Sequence, residues 1–111
     1  MNLEPYEKEL ETLNACIWDY AELKFQEVRS AGAMEDLLEQ HGFRVTRGLA
    51  HMPTAFVAEY GSGKPVIAIL GEYDALSGLS QEDGVWEEKP RVGNPNGHGC
   101  GHCALGAGAA G

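Results

Sequence analysis

The stretch PVIAIL, residues 65–70, followed at once by GEYDAL, residues 71–76, decides how this chain is read. Six successive residues without a polar side chain predict a strand buried on both faces, the kind that lies inside an α/β sheet. Two carboxylates, Glu72 and Asp74, come directly after it. Ligand sites in such sheets collect at the carboxyl ends of strands. Residues two apart in an extended segment face the same side. The pair is therefore suited to hold a cation or to orient a ligating histidine. The plainer alternative is a polar loop in which Asp74 caps a turn.

Upstream, residues 55–60 alternate, with Phe56, Ala58 and Tyr60 on one side, and residues 43–46 alternate too, so both are predicted strands. Gly61-Ser62-Gly63-Lys64 has the composition of a hairpin turn between the second and third strands. Further back, Leu3, Tyr6, Leu10, Leu13 and Ile17 step by three and four, which predicts a helix with one buried stripe. A second helix is predicted to start near Ser30 as its N-cap. It sets Met34, Leu37, Leu38 and His41 on one face and ends at Gly42 in the left-handed conformation.

Downstream of the carboxylates, residues 71–99 carry Gly, Pro and Asn throughout and read as one long loop, a length that in compact domains is commonly functional. The loop runs into His98-Gly99-Cys100-Gly101-His102-Cys103, four metal-ligating side chains within six residues. Thiolate and imidazole suit zinc and related transition metals. Glycine lets so short a segment turn tightly, yet one tetrahedron cannot be wrapped by six residues alone. Two ligands from here joined by others from elsewhere is the expected arrangement. The final stretch, CALGAGAAG at 103–111, is small and apolar and predicts the start of a helix packed tightly against a neighbour.

The 111 residues carry a net charge of −9, with 17 acids against 8 bases. No basic patch is available to neutralise phosphates, which excludes a nucleic-acid binder. No run approaches 18 apolar residues, so no membrane helix is predicted. The acidic start MNLEPYEKELE has neither part of a signal peptide, and a cytoplasmic location is expected. Three cysteines argue for a reducing compartment with metal or thiol chemistry rather than a disulfide framework.

Two further readings start from the same residues. Cys100-Gly101-His102-Cys103 is a C-x-x-C that resembles the redox site of protein disulfide isomerases, although Gly99 stands where those sites have an aromatic residue. A non-catalytic metal-binding module built on His98, Cys100, His102 and Cys103 is the other alternative.

The segment GEYDALSGLSQ at 71–81, followed by NGHGCGH at 96–102, resembles the metal-dependent amidohydrolases of the aminoacylase/carboxypeptidase superfamily. The likeness extends upstream through Ile17-Trp18-Asp19, Phe25-Gln26-Glu27, residues 42–47 and residues 63–68. It implies an α/β fold: the N-terminal part of a zinc-peptidase-like catalytic domain, with two helices, strands of a central mixed sheet, then a metal-binding loop. It implies a two-metal hydrolase, with Mn2+ or Zn2+, that cleaves an amide bond in p-aminobenzoyl-glutamate or a similar N-acyl amino acid. Cys100 and His102 match the metal ligands, and Asp74 matches the acid that supports them. Glu72 stands where many relatives carry a metal-binding His, and His98 is a further candidate ligand. Cys103 stands where Asn or Asp is expected. The resemblance also implies a general-base Glu beside a metal-binding Glu, later His ligands, an inserted dimerisation domain and an oligomeric parent. The expectation is that residues 1–111 form the N-terminal portion of a single metallohydrolase catalytic domain, inactive alone.

Overall fold

The computed structural model describes residues 2–111. Its elements are α1 (Glu7–Tyr20), α2 (Val28–Gln40), β1 (Arg44–Arg47), a short 3-10 turn (Leu49–His51), β2 (Phe56–Glu59) and α3 (His102–Ala110). The class is α/β, as expected. The sheet is smaller than expected: among the described residues it consists of β1 and β2 alone, paired antiparallel with Arg44 opposite Glu59 and Arg47 opposite Phe56.

The helical stripe of α1 works through its lower half. Leu13 and Ile17 are buried, whereas Leu3 and Tyr6 precede the helix and are exposed. The helix stops where Ala21 takes a left-handed backbone (φ 41°) and returns its N–H to the Ile17 carbonyl. Opposite lie Met34 and Leu38 of α2 and Cys103 and Ala107 of α3, and these six side chains form the core.

The start of α2 differs from the expectation. The helix begins at Val28, and Ser30 lies inside its first turn, fully buried. The cap comes from outside the helix. The Glu22 carboxylate accepts the backbone N–H groups of Arg29 and Ser30 at 2.9–3.1 Å and the Ser30 hydroxyl at 3.0 Å. Those N–H groups have no partner within the helix, and a carboxylate there is also favoured by the helix dipole. At the other end Gly42 has φ 84°, the left-handed residue expected just past the helix. His41 is a correction: it does not join the buried face but is exposed and pairs with Glu9 at 2.6 Å.

Phe56 and Ala58 turn inward and Val57 and Glu59 outward, so the alternation of β2 is real. Tyr60 is corrected to an exposed position past the strand end, where its ring lies 5.1 Å from that of Phe43. The third predicted strand does not form. Gly61 and Gly63 both take positive φ, as a hairpin turn requires. No backbone–backbone hydrogen bond then links residues 61–74 to other described residues. Val66, Ile67, Ile69 and Leu70 are 77–84% exposed. Each such side chain gains about 1.5–3 kcal/mol when fully buried, and a strand needs neighbours on its edges and faces to collect that gain. Here it has none.

The small residues of α3 permit close approach, as predicted. A Cβ at Gly106 would sit 2.7 Å from the Glu72 carbonyl oxygen and 2.9 Å from Met34 Cε. A Cβ at Gly71 would meet the Ala109 methyl at 2.9 Å. The helix therefore lies directly against the backbone that carries the two carboxylates.

Candidate functional site

The site is built where the 71–76 segment meets the first residue of α3. The Ala75 N–H donates to the Glu22 carbonyl at 2.7 Å, and Leu76 and Gly97 exchange backbone hydrogen bonds at 2.9 and 3.0 Å. These bonds fix both ends of the long loop. Arg91 ties its middle to α1 through Asp19 at 2.7 Å. The Tyr73 hydroxyl donates to the Thr54 carbonyl, and its ring stacks on Phe56 at 6.3 Å. Burial, and after it the charges of Glu27 and Glu35, push the Tyr73 hydroxyl up to about 12. It therefore stays protonated as a donor.

With Tyr73 turned to the core, its neighbours Glu72 and Asp74 share the other side, as their spacing predicts. Both reach one imidazole. His102 Nδ1 lies 2.7 Å from Asp74 Oδ1, and His102 Nε2 lies 2.9 Å from Glu72 Oε2. One ligand atom from each of Glu72, Asp74 and His102 falls within 4.8 Å of the others, a group able to hold a metal ion. Gly101, left-handed at φ 81°, ends the loop so that His102 opens α3. The carboxylates thus stand at a helix N-terminus, where negative charge is favoured.

The remaining sequence candidates are placed differently. Cys100 is exposed beside this group, its thiol donating to the Asp74 carbonyl at 3.7 Å. His98 lies outside the group. It is buried, and its Nε2–H donates to the Ile17 carbonyl at 3.0 Å, leaving Nδ1 buried without a partner among the described residues. Burial holds His98 below the ordinary imidazole value, so it is neutral at pH 7. Cys103 packs in the core with Leu13 and Ile17, and burial pushes its thiol up. That disfavours the thiolate needed for disulfide exchange. Sequence reasoning missed Tyr73 and Thr54 as the anchor of the carboxylate pair. Glu72-Tyr73-Asp74 held the signal, since alternation that puts two acids on one side puts the aromatic on the other.

Fold and geometry together define a small α/β unit carrying a carboxylate–histidine group of metal-ligand chemistry. No family model matches the chain. It is 52% identical over 93 residues to one subunit of the p-aminobenzoyl-glutamate hydrolase of Escherichia coli (strain K12). The match covers 84% of this chain and 19% of the relative, so the chain spans about a fifth of that protein's length. The likeness to a p-aminobenzoyl-glutamate hydrolase that the motifs imply is borne out by this match. No helix among the described residues is long and apolar enough to cross a membrane.

Proposed function

We propose that residues 1–111 form the N-terminal portion of the catalytic domain of a metal-dependent amidohydrolase. Its substrate is p-aminobenzoyl-glutamate or a similar N-acyl amino acid. The observation that carries this reading is one imidazole, His102, bracketed by Glu72 and Asp74. The relative's name supplies the substrate class, and its being one subunit of that hydrolase supports a multi-subunit parent.

The donor set fits a divalent cation, with carboxylate oxygen and imidazole nitrogen suited to Mn2+ or Zn2+ and a thiol beside them. With its Nδ1–H donated to Asp74, His102 would present its Nε2 lone pair to a cation held between it and Glu72; a carboxylate that fixes the tautomer in this way is the usual support of a ligating histidine. Glu72 adds an oxygen on the Nε2 side, and Cys100 stands ready as a further ligand. Tyr73 and Gly106 hold the backbone that carries the carboxylates. A bound ion, two in the complete site, supplies Lewis acidity and an activated water for amide hydrolysis. The central mixed sheet of such a domain is part of this proposal, with residues 65–70 as one of its strands. So is a cytoplasmic location.

The test is Mn2+ and Zn2+ affinity of the purified chain under reducing conditions, beside Cys100→Ala and His102→Ala. Binding that falls at least tenfold in both variants supports the ligand assignment. Unchanged binding in either removes that residue from the site. The isolated chain is expected to show no amide hydrolysis with either metal, and measurable turnover would overturn the reading of it as a portion of the domain.

A further inference from the structure

Residues 97–101, Gly97-His98-Gly99-Cys100-Gly101, carry the chain into the candidate metal site. Three of the five have no side chain, and Cys100 is exposed. Glycine loses the most conformational freedom on folding, so such a segment is costly to order. One side chain in it is buried. His98 is 3% exposed, its ring lies 6.4 Å from that of Trp18, and its Nε2–H donates to the Ile17 carbonyl at 3.0 Å. α1 does not depend on that bond, because the Ile17 carbonyl already accepts the Ala21 N–H at 3.1 Å. The loop depends on it more. Upstream, Gly97 pairs with Leu76, and downstream the next fixed point is the start of α3. Between them the His98 carbonyl accepts the Gly101 N–H at 3.0 Å. The Gly101 carbonyl in turn accepts the N–H groups of Ala104 and Leu105 at 3.1 Å. A chain of contacts therefore runs from α1 through the imidazole to a tight turn, and on into the first turn of α3. Cys100 stands inside that turn and His102 directly after it.

We infer that His98 is the positioning residue of this segment: its buried imidazole, tied to Ile17, pins the 98–101 turn and so holds Cys100 and His102 toward Asp74 and Glu72. The role rests on the reading of Cys100 and His102 as ligands, but His98 is not itself one. It lies outside the group formed by Glu72, Asp74 and His102, and it acts on them through the backbone of the turn. Ligands held in place by packing and hydrogen bonds bind at a lower entropic cost than ligands that must first be gathered. The pinning has two parts that substitution can separate. The ring fills space beside Trp18, and its N–H makes the bond to α1. Glutamine keeps an N–H donor at the end of its side chain, whereas leucine keeps apolar bulk and has no donor. The bond is present without a metal, so it can be read in the metal-free chain, separately from ligation.

The experiment uses residues 1–111 under reducing conditions, as the parent chain and with His98→Leu, His98→Gln and Leu13→Ala. In the metal-free parent, nitrogen NMR of the imidazoles is expected to place the His98 proton on Nε2. In His98→Leu, amide exchange at Gly101 is expected to speed at least tenfold. Co2+ affinity is expected to fall at least tenfold, with loss of the sulfur-to-cobalt charge-transfer band that reports Cys100. His98→Gln is expected to keep both within threefold of the parent. Leu13→Ala opens a cavity in the core and lowers the urea midpoint. It should leave Gly101 exchange and the cobalt band as in the parent, which separates positioning from general stability. A His98 proton found on Nδ1 overturns the inference even if His98→Leu does not fold. So does a His98→Leu chain with unchanged Gly101 exchange or an intact cobalt band. A His98→Gln chain as impaired as His98→Leu, or a Leu13→Ala chain with the same losses, overturns it too. A parent chain that binds no Co2+ counts against the ligand reading alone, and Gly101 exchange with the imidazole proton then decides the pinning of the turn.

Discussion

Ile17 and Ile67 are the same side chain with opposite fates. Ile17 is fully buried between three helices, and Ile67 is 82% exposed. Intrinsic preference does not separate them, since the run around Ile67 is the most apolar in the chain. What separates them is whether partners exist. The face of α1 meets the apolar stripe of α2 and the small, uniformly apolar residues of α3, which allow close contact. Residues 65–70 meet only one wall of a groove. Burial belongs to a pair of surfaces, and a sequence shows one member of the pair at a time.

The comparison breaks most visibly at its buried pole. Ile17→Ala is expected to destabilise the chain by about 2–5 kcal/mol, because deleted methylenes leave a cavity in a core that relaxes only in part. Urea unfolding followed by circular dichroism measures it. A loss below about 1 kcal/mol would mean that the three helices are not one packed unit.

Next in size is the contact that joins core to site. Gly106→Ala puts a methyl 2.7 Å from the Glu72 carbonyl oxygen and 2.9 Å from Met34 Cε. The methionine end can yield, but the backbone carbonyl cannot without moving the 71–73 segment. The expected cost is about 1–3 kcal/mol, as for other overpacked cores, together with weaker Mn2+ binding because Glu72 shifts. Gly108→Ala, which meets nothing within 4 Å, is the control and should be neutral or slightly stabilising.

A third test concerns the cap of α2. Burial opposes the charge on Glu22, but hydrogen bonds from Ser30 and Arg29 outweigh it and hold the carboxyl below its usual range. A folded-state value below the unfolded 4.5 means that the stabilisation is fully present above that pH. It is lost as pH falls through the lower folded value. Glu22→Gln should cost about 1–2 kcal/mol at pH 7 and flatten the acid limb of a stability–pH curve below about 4.5. An acid limb as steep as in the parent chain would show that Glu22 is not the titrating cap.

Much of this arrangement is legible in the sequence, and the exceptions share a cause. The stripe of α1, the glycine stop of α2, the alternation of β2 and the tight packing of α3 depend on neighbours near in sequence or on residue size alone. That Glu72 and Asp74 share one side is legible because an i, i+2 spacing fixes relative direction, whereas the place of His102 beside them, 28 residues on from Asp74, is implied only by the resemblance. Capping by Glu22 is not, because its carboxylate reaches back from outside the helix, and Ser30 carries the ordinary local signature. The inward turn of His98 is likewise hidden: its anchor, the Ile17 carbonyl, lies 81 residues away. For the third strand the composition is legible and the pairing is not, because composition states what a segment needs and not whether it has it.

The smallest expected effect is the sharpest test of that last point. Ile67→Ala removes as many methylenes as Ile17→Ala, from a residue of identical chemistry. Exposed in the isolated chain, Ile67 has little transfer energy to lose and leaves no cavity, so the change should stay within about 0.5 kcal/mol. The ratio of the two losses then measures partnership alone, with side-chain identity held constant. A loss of about 2 kcal/mol or more at Ile67, the size expected of a buried residue and read from the same urea curves, would show that residues 65–70 are already packed in solution. The contrast between the two isoleucines would then fall, and with it the argument that this strand waits for its neighbours.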